Sequence, residues 1–358
     1  NHEIENYNSA TGSLTAWVNV TNISNTVDTN IYMYYGNANC NNQSNMTGVW
    51  SDEYVTVHHM NNLTDSTYKN NLTNNGATQV NSYLYQAYDF EDGDMDYMTF
   101  GKNIFPSSGG LTFIGYIYNE DYGSDLLEWI MGNEDNSNYK GYGFLLDSTG
   151  DDHNFQTTYY TGSGSVYYSS QTPVNSISTD SYHFVSMNWD GLISNNHNTT
   201  VDTTEYNNGS TSGAMSSISY HTYIGITSES NDRYFDGKID ELQLINAYKT
   251  DAYIKTVYNN FENLNNGGFY TIEGQVLNPN VCECLLTNMT PINLSTNINY
   301  NTQVLNVTVN SSCGTMDFIN ISIYDSFYNL INYTNHTTGL INGTYNHTLI
   351  NDNLSQLT

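Results

Sequence analysis

The sequence predicts an all-β protein: one large β-sandwich, smaller β modules on either side, and a single short helix. Two patterns carry this. Runs rich in Tyr, Val, Ile and Thr recur about every ten residues, separated by clusters of Gly, Asn, Asp and Ser. Aromatic residues make up 14% of the 358 residues, with 33 Tyr, whereas a disordered acidic chain is poor in aromatics. The length suits two or three domains of roughly 100–200 residues each.

Residues 1–86 read as mixed strand and loop, a partial β domain, with 31–35 (Ile-Tyr-Met-Tyr-Tyr) as one strand. Residues 87–248 hold enough strands for the large sandwich; 111–118 and 182–189 are two of them. A helix is expected over 251–262. Thr250 is a good N-cap, Asp251 suits the positive helix end, and Tyr253, Ile254, Val257, Tyr258 and Phe261 share one apolar face. The Asn-Asn-Gly-Gly at 265–268 breaks it and 269–272 reads as a returning strand, so 249–277 is a helix-and-strand connector. Residues 278–358 form the last β unit. There Leu305, Val307 and Val309, then Ile319, Ile321 and Ile323, alternate at the strand period.

Seven Lys and Arg stand against 36 Asp and Glu, a formal net charge of −29. Such a surface repels phosphate, which argues against nucleic acid and anionic headgroups as partners, and it attracts divalent cations. The apolar runs fall far short of the ~20 residues that a spanning helix needs, so no direct membrane insertion is expected. The opening Asn1-His2-Glu3, without Met, reads as a processed or partial chain.

Asn is abundant, with 56 residues. Ten Asn-x-Ser/Thr acceptors crowd the last segment: Asn288, Asn293, Asn306, Asn310, Asn320, Asn332, Asn335, Asn342, Asn346 and Asn353. Residues 87–246 have two, Asn198 and Asn208, although they hold 15 Asn, as many as residues 281–358. This uneven spread predicts N-glycosylation and a secretory route.

Residues 87–97 (Ala-Tyr-Asp-Phe-Glu-Asp-Gly-Asp-Met-Asp-Tyr), 182–191 (Tyr-His-Phe-Val-Ser-Met-Asn-Trp-Asp-Gly) and 236–246 (Asp-Gly-Lys-Ile-Asp-Glu-Leu-Gln-Leu-Ile-Asn) resemble, in order, the opening, middle and last strands of a LamG-like domain. That is the concanavalin A-like lectin/glucanase jelly roll, so the resemblance implies a jelly-roll β-sandwich. The upstream segment is similar to an uncharacterised domain that accompanies LamG units in archaeal and bacterial surface proteins. The matching residues are His2-Glu-Ile-Glu, Leu14-Thr-Ala-Trp-Val, 31–37 and Val57-His-His-Met60. The last segment resembles an immunoglobulin-like surface repeat. Both terminal units look like cut domains, whose open edges invite strand addition from neighbouring chains.

Glucanases of this fold carry a Glu-x-Asp-x-x-Glu strand with two working carboxylates. Here Lys238 and Gln243 stand where the two outer Glu would be, so no enzyme is expected. Carboxylates cluster at 89–96 and again at 232–241, and first and last strands of such a fold pair. The resemblance implies a structural Ca²⁺ with Asp240 as its best side-chain ligand and Asp92, Asp94 and Asp96 as further candidates. The adjacent His58 and His59 read as structural. Cys40, Cys282, Cys284 and Cys313 suggest disulfides, with three connectivities possible. Cys282 and Cys284 stand two apart on a strand-like stretch, and their pairing with each other is expected to be poor. Tyr159, Tyr160, Tyr167 and Tyr168 are candidates for a sugar platform or an interface.

These readings converge on a secreted, non-enzymatic cell-surface glycoprotein. The expected role is structural: a self-associating subunit of an extracellular filament, sheath or surface layer (S-layer). The alternative is an adhesin that binds surface glycans on the LamG concave face.

Overall fold

The computed structural model describes the chain apart from residues 37–40, 83, 107–108, 121–126, 136–139, 148–151, 161–166, 192–196, 210–217, 229–232, 263–283, 291–303, 312–314, 325–329, 342 and 349–358. The chain divides into two units, Asn1–Thr271 and Ile272–Thr358.

The first unit is all-β with one helix, as expected. A hairpin of β1 (His2–Asn8) and β2 (Ser13–Val18) comes first. Then follow β3 (Tyr54–His58), β4 (Thr73–Asn75), β5 (Thr78–Asn81), β6 (Gln86–Phe90), β7 (Tyr97–Thr99) and β8 (Leu111–Asn119). Next are β9 (Leu127–Gly132), β10 (Tyr142–Asp147), β11 (Asn154–Tyr160), β12 (Tyr167–Gln171) and β13 (Ser181–Trp189). The series ends with β14 (His197–Val201), β15 (Thr204–Gly209), β16 (Tyr223–Ile224), β17 (Gly237–Ile245) and the helix α1 (Asp251–Glu262).

Two antiparallel sheets face each other. One runs β12-β11-β10-β9-β16-β7-β4, the other β15-β14-β13-β8-β17-β6-β5, and β3 pairs the end of β17. Phe90, Phe113, Phe144, Phe155, Met131 and Leu242 fill the space between them. Strand β8 is buried on both faces, which explains its unbroken apolar run. Phe113 and Ile117 enter this core, while Ile114 and Tyr116 face a second cluster on the outer side.

That second cluster is closed by α1 and the N-terminal segment. Thr250 Oγ1 accepts from Tyr253 N at 3.4 Å, and Ile254, Val257 and Phe261 are the buried helix positions. Phe261 meets Trp17, Tyr116 and Phe184 edge-on or tilted.

Two expectations are corrected here. The sandwich does not begin at 87: β3, β4 and β5 are paired members of its sheets, and Met60, Leu72 and Ala77 lie in its core. Residues 31–35 form no strand. Their side chains are 60–79% exposed, and no described strand pairs with them. β-propensity without a partner strand does not make a strand.

In the second unit β18 (Cys284–Thr290), β19 (Val304–Ser311) and β22 (Gly343–Thr348) form one sheet, and β20 (Thr315–Tyr324) pairs β21 (Leu330–Ile341). Both runs of alternating aliphatic residues fall on strands, β19 and β20.

Candidate ligand-binding site

The outer face of the seven-stranded sheet holds a cavity of about 310 Å³. Alternation along β9, β10 and β11 sends Ile130, Phe144 and Phe155 into the core and leaves Trp129, Leu145, Thr158 and Tyr160 on the other side. A register shift between Phe144 and Leu145 preserves this division across the strand pair.

Trp129 is the centre of the arrangement. Its ring lies over Gly132 and Gly143, where an added Cβ would collide with it. It is only 1% exposed, so it offers the cavity an edge rather than an open platform. Its Nε1 is buried and has no hydrogen-bond partner among the described residues. Glu134 is anchored through its backbone: its N–H donates to Thr227 Oγ1 at 3.0 Å, and its carbonyl accepts from Ser228 Oγ at 2.6 Å. Its carboxylate accepts from Thr158 Oγ1. Arg233 completes the wall. It is the only arginine of the chain and makes no ion pair with a described residue. The cavity thus combines an indole, a phenol, one carboxylate, one guanidinium and a hydroxyl.

The expected Tyr platform is only partly realised. Tyr160 lines the cavity, but Tyr159, one residue away, points into the core against Trp189 and His197. Tyr168 and Tyr167 pair with them on β12, their side chains lying outside the described residues. Trp129, Glu134 and Arg233 were not singled out in the sequence. The solitary arginine of so acidic a chain was the one available signal.

The expected Ca²⁺ ligand set does not assemble. Asp240 is buried, accepts from Ser82 Oγ at 2.5 Å and Glu241 N at 2.9 Å, and sits beside Glu241. Asp92 and Asp94 are exposed on the β6–β7 turn, and Asp96 Oδ2 caps that turn by accepting from Glu91 N at 3.2 Å. Among the described residues, ligating side chains converge elsewhere, at Asp89/Glu91/Glu120 and at Glu5/His59/Glu241. The first group has its own cation: Lys238 pairs with Glu120 and lies 3.7 Å from Asp89. His58 and His59 part company. His58 Nε2 approaches Asn70 O at 3.1 Å, whereas His59 enters the second acidic group.

Asn198 is 4% exposed in the middle of β14, which leaves no room for a glycan there in the folded chain. Asn208 lies on β15, and Asn288, Asn306, Asn310, Asn320, Asn332, Asn335 and Asn346 lie on strands of the second unit. Asn293, Asn342 and Asn353 lie outside the described residues, as do Cys40, Cys282, Cys313 and the side chain of Cys284.

Residues 92–255 match the Laminin_G_3 family model, described as the concanavalin A-like lectin/glucanases superfamily. The matched stretch falls on the jelly roll inferred from the strand motifs. Solved structures share its shape in part. The binding domain of Paraclostridial Mosquitocidal Protein 1 is similar at TM-score 0.48 and 13% identity, over 59% of this chain and 53% of that one. Domain 4 of AbnA, a GH43 extracellular arabinanase from Geobacillus stearothermophilus, in complex with arabinotriose, is similar at 0.44 and 13%, over 57% and 98%. The botulinum neurotoxin serotype C1 binding domain is similar at 0.46 and 12%, over 61% and 53%. The chain thus spans about half the length of the two toxin domains. No curated protein sequence matches it. No helix among the described residues is long and apolar enough to cross a membrane.

Proposed function

We propose that the protein is a non-enzymatic extracellular binding protein whose Laminin_G_3 domain takes a carbohydrate into the Trp129 cavity. The observation that supports this is the lining itself, which sets the Trp129 edge and Tyr160 together with Glu134 and Arg233 in one cavity. Sugars are recognised by aromatic surface joined to a few directed polar groups, and about 310 Å³ suits a single ring or chain end. The described lining has one carboxylate, Glu134, whereas glycoside hydrolysis uses two. Titration of the full chain with an oligosaccharide panel tests this. Saturable binding that Arg233→Gln removes, at unchanged melting temperature, is expected; a panel without binding contradicts it.

A second reading, self-association into a filament, sheath or surface layer, is favoured by a different observation. Ile31, Tyr32, Met33, Tyr34 and Tyr35 expose a continuous β-prone run, and Ile4, Tyr7 and Val18 of the hairpin are exposed as well. Such a patch suits strand addition. Electron microscopy of the purified chain distinguishes the two: a regular polymer supports assembly, dispersed particles oppose it. The resemblances of the flanking segments to surface-protein modules, the glycan-bearing tail and the disulfides belong to the same extracellular proposal.

A further inference from the structure

We propose that Glu5, His59 and Glu241 form a site for a divalent transition-metal ion of the zinc type, one that pins the N-terminal hairpin to the sandwich. The three residues come from β1, from the residue after β3, and from β17. Their ligating atoms lie within 4.8 Å of one another. Their side chains are 1%, 3% and 0% exposed. His59 Nδ1 is 2.8 Å from Glu241 Oε2 and 3.8 Å from Glu5 Oε2.

Clustered acids alone would not make a site. The decisive atoms are Glu5 Oε1 and Glu241 Oε1, both buried and neither with a hydrogen-bond donor among the described residues. A buried carboxylate oxygen left bare is costly, and a cation between the carboxylates relieves it. Among the described residues no Lys or Arg pairs with Glu3, Glu5, Asp240 or Glu241.

The surroundings hold the ligands in place. Trp17 Nε1 donates to Glu5 Oε2 at 2.8 Å, and the Trp17 ring stacks on His59 at 4.9 Å. On the far side of the imidazole, Nε2 faces Glu3 Oε2 at 3.5 Å. Trp50 Nε1 and Ser66 Oγ fix that carboxylate, each at 2.7 Å. Nε2 has no hydrogen-bond partner among the described residues, so a metal held at Nδ1 would leave the Nε2 N–H free to turn to the Glu3 carboxylate, the outer-acid arrangement of ligating histidines. The bulge in β17 places Asp240 and Glu241 on the same side, and Glu241 adopts φ +49°, a left-handed conformation unusual for its type. One imidazole with carboxylates suits zinc. Calcium takes six to eight oxygens.

The test uses the full chain, stripped with a chelator and titrated with Zn²⁺ by calorimetry while melting is followed. One Zn²⁺ per chain is expected, with a melting temperature several degrees higher than that of the stripped chain. Glu5→Gln and Glu241→Gln should each weaken binding at least tenfold; Asp89→Asn, in the other acidic group, should leave it unchanged. A wild-type chain that binds no Zn²⁺ overturns the proposal without recourse to variants. So does binding that survives Glu5→Gln or is lost in Asp89→Asn.

Discussion

The indole of Trp129 lies over Gly143 of the neighbouring strand so closely that a Cβ on Gly143 would overlap the ring. Gly143 does not have a positive φ, so alanine fits its backbone, and the nearest atoms its Cβ meets are those of the indole. Gly143→Ala is expected to cost about 1–3 kcal/mol, the range for overpacking, and to shift the Trp129 edge that borders the cavity. Denaturant unfolding and tryptophan fluorescence check it. An unchanged midpoint and emission would show that the ring has room to move.

The outer layer depends on one helix residue. Phe261 is nearly buried against Trp17, Tyr116 and Phe184. Phe261→Ala should cost about 3–5 kcal/mol, as truncation of a core aromatic does, and loosen the contact of α1 with the hairpin. Urea unfolding measures the first effect, and amide exchange over 251–262 the second.

Asp65 is fully buried and gathers the loop after β3. Its carboxylate accepts from the backbone N–H of Val57, Thr67, Lys69 and Asn70 at 2.8–3.1 Å, and from Thr67 Oγ1 at 2.6 Å. Asp65→Ala strands several donors at once and should cost at least ~3 kcal/mol, which urea unfolding checks. Asp65→Asn, which keeps one acceptor oxygen, should cost less.

His197 predicts a pH dependence. Its ring is buried beside Tyr159, with Nε2 2.7 Å from Thr157 Oγ1, and burial pushes its pKa down to about 3. The unfolded chain therefore binds this proton between about pH 6.5 and 3 while the native chain does not. Stability from this group is present above pH 6.5 and is lost as pH falls. Glu205, raised to about 7 by burial and then by Asp251, acts in the opposite sense between its ordinary value and 7. The comparison must therefore be between the wild type and His197→Gln. The variant should lose less stability between pH 7 and 4; parallel curves would contradict it.

Much of the fold was legible. The helix was marked by Thr250 and by a face that ends at Phe261, strands β8 and β13 by runs rich in aromatic and aliphatic residues, and β17 by its likeness to the last LamG strand. The boundary at 87 was not legible. Strands β4 and β5 are short and polar, and join the sandwich through pairing with β7 and β6. The run at 31–35 shows the opposite error, strong propensity without a partner. The site was legible only at Tyr160. Trp129, Glu134 and Arg233 meet through a pairing register and loops that no local pattern encodes. The same holds for His59 and Glu241, which touch across 182 positions.

The most direct test of carbohydrate binding is calorimetric titration of the wild-type chain and Arg233→Gln with the same oligosaccharide panel. The account predicts saturable binding by the wild type and at least tenfold weaker binding by the variant, with both melting at the same temperature. Equal binding by the two, or none by the wild type, would contradict it.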